Sequence, residues 1–472
     1  MKNKFFERFL GFKDIKDPME DGDTLANMYA SLLRIAWPAA LEGLLLTLMN
    51  SFDTMMVGKI GPAAIASVGL CAQPRMIMLL LAQALCVGTT AVVARRRGQG
   101  RQDAAISCLQ QSMAIITGIG ILITAGGYFL AEPLLKLAGG SAETLPDAVI
   151  YFRTISMAFM ANCWTLCICA AFRGVGTTKI TMVVNMTANV VNVFMNYCLI
   201  NGHFGFPALG VRGAAIATAI GTVTGCVMAF FQIFGRDDYL SLTGQKFRFD
   251  GETVHSLITV GSGSIAESVF MRIGFLLNGR LIAGVSTSAY ATNQIVQQIS
   301  SLTFTLGDGA ASATTSLIGQ SLGAGNKEKA KVYVRVVQRV SLYLSLFLMI
   351  FTLLGRNIFP TFFTTDGQII QAASLCFVIF LFGLFAQNLR VILAGCLRGA
   401  GDVKYVAFVS LISVAIVRPA MTWFFCYPMN RMFPALMFGF LGPWLSFDID
   451  AYVRALLLTV RVREGSWVNI RL

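Results

Sequence analysis

Arg173-Gly174-Val175-Gly176-Thr177-Thr178-Lys179 returns later in the chain as Arg398-Gly399-Ala400-Gly401-Asp402-Val403-Lys404, a shift of 225 residues (398 − 173 = 225). The same shift carries Gly98-Gln99-Gly100 onto Gly323-Ala324-Gly325, Thr89-Thr90 onto Thr314-Thr315, and Gln73 onto Gln298. It also carries Asp53 onto Asn278 and Glu42 onto Glu267. Residues near 42–200 therefore match residues near 267–425 with almost no gaps. The chain is a duplicated unit of about 225 residues, too long a period for a solenoid repeat.

Hydrophobic residues make up 56% of the 472 and charged residues 13%, about half the charged share of an ordinary soluble domain. Apolar stretches able to cross the hydrocarbon core as helices lie near 32–58, 64–94, 104–131, 147–171, 180–201, 210–234, 254–283, 289–320, 332–355, 368–397, 405–427 and 436–460. Six per half agrees with the duplication. The expected fold is an all-α membrane protein, with twelve transmembrane helices in two six-helix bundles related by pseudo-twofold symmetry. The bundles span 32–234 and 254–460, joined by a charged cytoplasmic linker at 235–253 and flanked by cytoplasmic segments 1–31 and 461–472. In a membrane chain, two such halves point to a transporter whose site lies between them.

Twelve spans place both termini on one side. With that side inside, inner loops and flanks hold about 25 of the 37 Lys and Arg residues and outer loops about 6. This spread accounts for much of the +13 charge and argues against a nucleic-acid patch. The N-terminus lacks the apolar core of a cleavable signal. Phe5, Phe6, Phe9, Leu10 and Phe12 alternate with Lys2, Lys4, Arg8 and Lys13, which suits either an interfacial helix or a solvated tail. The eleven Cys sit mostly in apolar spans as small hydrophobes. His203 and His255 stand alone, so no metal set is expected. The Arg-Gly-x-Gly ends of the fourth and tenth spans read as tight inner turns with Arg173 and Arg398 on lipid phosphates, or as gating elements.

Several segments resemble the multidrug and toxic compound extrusion (MATE) family. They are Pro38-Ala-Ala-Leu-Glu42, Phe52-Asp53-Thr54-Met-Met-Val-Gly58, the heptapeptide at 173–179, Val191-Asn192-Val193-Phe194-Met195-Asn196 and Pro207-Ala-Leu-Gly210-Val-Arg-Gly213-Ala-Ala-Ile-Ala-Thr218. The second half adds Leu317-Ile-Gly-Gln-Ser-Leu-Gly-Ala-Gly325-Asn326, Leu397-Arg-Gly-Ala-Gly-Asp402, Arg418-Pro419 and Arg461-Val-Arg-Glu-Gly-Ser-Trp467. The resemblance covers nearly the whole chain beyond residue 30 and implies a monomeric, multi-pass plasma-membrane antiporter without a cofactor. H⁺ or Na⁺ would drive export of organic, cationic, amphipathic compounds. It also implies that Asp53, Asn192 and Thr218 converge as the coupling-ion site. Asn196 departs from the family, which often carries an acid there.

Charged side chains inside spans are functional candidates by default. Glu42 and Asp53 lie 11 residues apart (53 − 42 = 11), about three helical turns, and share a helix face. A carboxyl group taken out of water is easier to protonate, so either acid can take up and release a proton; a bound Na⁺ would keep it charged. Asp53 has the alternative of reaching water at an outer end. Asn185, Asn189, Asn192 and Asn196 form a ladder that serves either the site or interhelical packing. Glu267 and Asp308 are the cavity candidates of the second half, with Glu42 and Asn196 in the first. Glu267 has as its alternative a structural pair with Arg272 or Arg280. Asp450 precedes Arg454 by one turn and reads as a local ion pair; Arg390 and Arg418 read as ties between helices.

Two rival functions remain. A lipid-linked precursor flippase would favour extra spans and a cationic groove, neither of which is evident in the sequence. A membrane-embedded enzyme needs a nucleophile, metal set or acid–base pair at the interface, and no such spacing occurs.

Overall fold

The computed structural model describes residues 24–58, 60–235, 239–245, 247 and 249–470, with only the backbone of Ser51, Thr54 and Pro62. The aromatic and basic N-terminal stretch at 2–13 and linker residues 236–238 lie outside the described residues. The fold is 88% helical, with no strand among the described residues. Twelve long helical segments follow one another. They are α1 Leu25–Gly58, α2 (Pro62–Leu70 and Ala72–Gly98), α3 Gln102–Phe129, α4 (Leu145–Met157 and Phe159–Val175), α5 Thr178–Asn201 and α6 Val211–Phe234; then α7 Gly251–Ala283, α8 Thr287–Gly323, α9 Lys327–Gly355, α10 Gly367–Ala400, α11 Val403–Met432 and α12 Phe438–Glu464.

Among the described residues nine of these are both long and apolar enough to cross a bilayer, and ten if the halves of α4, bent by 47°, form one span. The sequence led us to expect twelve apolar spans. The two that fall short, α8 and α12, are long enough but too polar: α8 is rich in Ser, Thr and Gln, and α12 carries Asp448, Asp450 and Arg454. Several of their polar residues are buried, among them Asp450 and Thr314 (each 0% exposed). Large apolar side chains such as Leu122, Phe231, Leu276 and Leu354 instead face outward, as lipid-facing helices require.

The chain divides into two compact units, Leu41–Gly261 (here the first unit) and Met1–Ala40 with Ser262–Arg471 (the second). Divisions fall within α1, just past Pro38, and within α7. Leu109, Ile116, Cys163, Cys167 and Phe172 build the first unit's main core. In the second, Leu32 of α1 packs with Ile318, Val336, Leu393 and Trp467. All eleven cysteines are free and buried.

The repeat is visible in detail. Gly176 and Gly401 end α4 and α10 in the left-handed region, at φ 88° and 91°. Each N–H closes onto the carbonyl three residues back, at 3.0 Å, and the next N–H (Thr177, Asp402) reaches five back, at 3.0 and 2.8 Å. Thr90 Oγ1 donates to Ala170 O at 2.9 Å, and its mate Thr315 Oγ1 donates to Gly395 O at 2.9 Å. Gly174 lies against the Thr90 carbonyl and Gly399 against the Thr315 carbonyl, so α2–α4 and α8–α10 approach closely at matching glycines.

The single shift breaks in α11. Residues Leu411–Val417 form a π-helical stretch immediately before Arg418-Pro419, and Phe425–Met429 form another around Pro428. Proline lacks the N–H of a normal helical bond and its ring clashes with the carbonyl four residues back, and a π turn accommodates one extra residue. Beyond it the halves correspond with a shift of 226: Asn196 bonds Asp53, and its counterpart Thr422 (422 − 196 = 226) bonds Asn278.

Candidate functional site: two acid clusters and an arginine-lined cavity

In the first unit α5 presents one polar stripe to both acids of α1. Asn185 Nδ2 donates to Glu42 Oε1 at 2.7 Å, and Asn196 Nδ2 donates to Asp53 Oδ1 at 2.7 Å. Both pairs are 143 residues apart (185 − 42; 196 − 53), so α1 and α5 run in the same sense and in register. Thr181 Oγ1 donates to Glu42 Oε2 at 2.8 Å, and Arg173 Nη1 lies 3.8 Å from Oε1. Glu42 is buried, and Asp53 is half-buried. Asn189 instead donates to the Asn185 carbonyl, within its own helix.

Asn192 stands between Asp53 and α6. With its amide placed one way, Nδ2 donates to Thr218 Oγ1 at 3.3 Å. Placed the other way, Nδ2 reaches both Asp53 oxygens at 3.1 and 3.0 Å, and Oδ1 accepts from Thr218 N at 3.1 Å. The second placement satisfies both ends of the amide, since a carboxylate only accepts. Asp53, Asn192, Asn196 and Thr218 are thus brought into one cluster. Asp53, Asn196 and Thr218 line a cavity of about 260 Å³ with Asn50, Tyr151 and Arg75. Asn196 Oδ1 is buried without a partner, leaving an oxygen for a proton donor or a cation beside the carboxylate. No group of three or more His, Cys, Asp or Glu residues with metal-binding geometry occurs among the described residues. A Na⁺ ion here would draw on Asp53 and on amide, hydroxyl and backbone oxygens.

The second unit differs. Asn278 occupies the position of Asp53 and accepts from Thr422 Oγ1 at 2.5 Å, so that place holds no charge. Glu267 pairs with Arg398 of α10 at 2.6 Å, while Arg272 and Arg280 are exposed. Arg398 is the repeat mate of Arg173, just as Glu267 is of Glu42. Both arginines therefore face these acids, which corrects their reading as lipid-phosphate contacts. Asp450 does pair with Arg454, at 2.6 Å, but it also accepts from Arg418 of α11 and from Ser413. Arg418, which the 226 shift places opposite Asn192, is a tie between α11 and α12 as expected. Arg390 is not: its Nε donates to Gln387 Oε1, one turn earlier on the same helix, at 2.7 Å.

Glu267, Asp308, Arg390, Arg398, Arg418 and Arg454 line one cavity of about 240 Å³, walled in part by Phe275, Phe304 and Phe447. The cationic lining was invisible in the sequence because its four arginines come from α10, α11 and α12. The Glu267–Arg398 pair is the 225-shifted counterpart of Glu42 and Arg173, a correspondence that only the structure's contacts reveal.

A duplicated bundle of long apolar helices, with buried acids inside each unit, is the architecture of a multi-pass membrane protein, and the family it matches is one of transporters, not enzymes. The MatE family model matches residues 38–198 and again 264–424, and the chain belongs to this family. It is 28% identical to the uncharacterized transporter YisQ of Bacillus subtilis over 445 residues, 93% of this chain and 95% of the relative. It is also 28% identical to the probable multidrug resistance protein NorM of Thermotoga maritima, covering 92% of each. A solved outward-facing multidrug resistance MATE transporter has the same fold, with a TM-score of 0.85 at 21% identity over 93% of this chain and 96% of that one.

Proposed function

We propose that the protein is a cation-coupled antiporter that exports amphipathic organic compounds by alternating access. The observation that carries this reading is the cluster of Asp53 with Asn192, Asn196 and Thr218 beside an open cavity. H⁺ or Na⁺ binds there. A proton neutralises the carboxylate directly; Na⁺ leaves it charged and takes the neighbouring oxygens as ligands. Bound ion favours one conformation and cargo the other, and each shifts the balance only by its differential affinity for the two states. The bodies that move are the halves 32–234 and 254–460. The protein acts as a monomer in the plasma membrane with both termini cytoplasmic, as the Lys and Arg distribution supports. Glu42, Glu267 and Asp308 supply polar contacts for cargo. Organic cations are the cargo class implied by the family resemblance.

Ethidium efflux from cells provides the test. Asp53→Asn, at equal membrane abundance, is expected to reduce efflux to the level of cells lacking the protein. Unchanged efflux would remove Asp53 from the mechanism.

A further inference from the structure

The cavity of the second unit has a charge excess that its own acids do not cancel. Four guanidinium groups line it, from Arg390, Arg398, Arg418 and Arg454, against the two carboxylates of Glu267 and Asp308. Asp450, fully buried behind them, adds a third. With all three acids ionised, one positive charge is left over (4 − 3 = 1). The ion pairs place that surplus on the two guanidiniums that share Asp450, and they leave Arg390 and Asp308 as lining residues without an ion pair among the described residues. Glu267 holds Arg398, and Asp450 holds both Arg418 and Arg454. Among the described residues Arg390 has no ion pair and no hydrogen bond from its Nη atoms; its Nε is occupied by Gln387. Arg418 Nε, Arg454 Nε and Arg398 Nε are buried without partners as well.

An unpaired cation within a bilayer-embedded unit is costly and attracts a counter-charge. A guanidinium presents paired N–H donors matched to a carboxylate, sulfonate or phosphate. Most of the rest of the wall is apolar or aromatic, with Gln297, Gln387 and Ser410 between: Phe304 and Phe447 stack at 5.7 Å, and the Arg418 guanidinium already covers the Phe447 ring at 4.9 Å. A hydrated inorganic ion has no use for such a wall, whereas an amphiphile does.

We propose that this cavity binds an amphipathic organic anion, with its charged head on the Arg390 guanidinium and its apolar body against Phe304 and Phe447. This goes beyond the efflux reading and departs from the cationic cargo implied by the family. It rests on that reading only in treating the bound anion as cargo; the binding itself does not depend on Asp53. The head group comes either from a free organic acid or from an anionic lipid.

The test is calorimetric titration of the full-length protein in phosphatidylcholine nanodiscs with 1-naphthalenesulfonate, with 1-naphthylmethylammonium as the matched cation. The sulfonate is expected to bind and the cation not to displace it. Arg390→Gln should weaken sulfonate binding at least about tenfold, the scale of a lost charge-assisted hydrogen bond. Arg390→Lys, which keeps the charge, should stay within a few-fold of wild type. Asp53→Asn should bind the sulfonate as wild type does even where its efflux is lost, which separates failure of this proposal from failure of the efflux reading. In nanodiscs containing phosphatidylglycerol, weaker apparent sulfonate binding marks the lipid headgroup as the natural occupant, and unaltered binding marks a free organic acid; both keep the anion site. Displacement by the cation as effective as by the sulfonate itself would overturn the proposal in the wild-type protein alone, as would unweakened binding by a folded Arg390→Gln.

Discussion

Asp450→Asn isolates the buried charge arrangement of the second unit. Asp450 is 0% exposed, and its Oδ2 accepts from Arg454 Nη2 at 2.6 Å and from Arg418 Nη2. Both arginine side chains are nearly fully buried, at 4% and 5% exposure. The amide removes one negative charge and leaves two guanidiniums facing each other. Breaking a buried pair by removing one partner costs about 3–5 kcal/mol. At roughly 2–4 °C per kcal/mol for a unit of 150–250 residues, melting should fall by roughly 6–20 °C. The eleven buried free cysteines supply the assay, because a thiol-reactive fluorophore labels them only as the helices separate. Replacing all three members (Asp450→Asn, Arg418→Met, Arg454→Met) removes the uncompensated charges and should recover much of the loss. An Asp450→Asn protein that melts at or above the wild-type temperature would refute the view that this carboxylate anchors α11 to α12.

The repeat-related acids should respond unequally. Glu42 is held by the neutral donors Thr181 and Asn185 with Arg173 at 3.8 Å, whereas Glu267 depends on Arg398 at 2.6 Å. Glu267→Gln should therefore lower the melting temperature more than Glu42→Gln in the same thiol assay. Gly174→Ala would put a methyl carbon 2.6 Å from the Thr90 carbonyl oxygen, and Gly399→Ala meets the Thr315 carbonyl in the same way, so each should cost about 1–3 kcal/mol by forcing the paired helices apart. Asp250, in the loop before α7, accepts from Thr253 Oγ1 and from the Glu252 N–H, and these bonds hold its carboxyl below the ordinary range. A carboxyl depressed in the folded state stabilises above its unfolded pKa and loses that contribution as pH falls through the folded value. Melting curves recorded on acidification should accordingly fall less steeply in Asp250→Ala than in wild type.

Much of the architecture was legible because a duplicated membrane chain repeats its packing devices along with its sequence. The Gly176 and Gly401 helix ends and the Thr90 and Thr315 hydrogen bonds follow from one shift. The convergence of Asp53, Asn192 and Thr218 was expected from family resemblance, while the equal spacing of 42–53 and 185–196 explains physically why one helix serves both acids. What escaped depends on contacts between helices distant in sequence. Asp450 reads locally as a partner of Arg454, and only the placement of α11 beside α12 adds Arg418. Arg390 sits in an apolar run where nothing marks it as unpaired. The extra residue in α11 was hidden because a π turn absorbs it without breaking the hydrophobic stretch.

Coupling through Asp53 is tested most directly in proteoliposomes containing wild type or Asp53→Asn, loaded with a fluorescent cargo and given a pH gradient or a sodium gradient separately. The expected result is that one of the two gradients drives wild-type efflux while neither drives efflux in the variant. Equal gradient-driven efflux by both proteins would contradict the assignment of Asp53 as the seat of ion coupling.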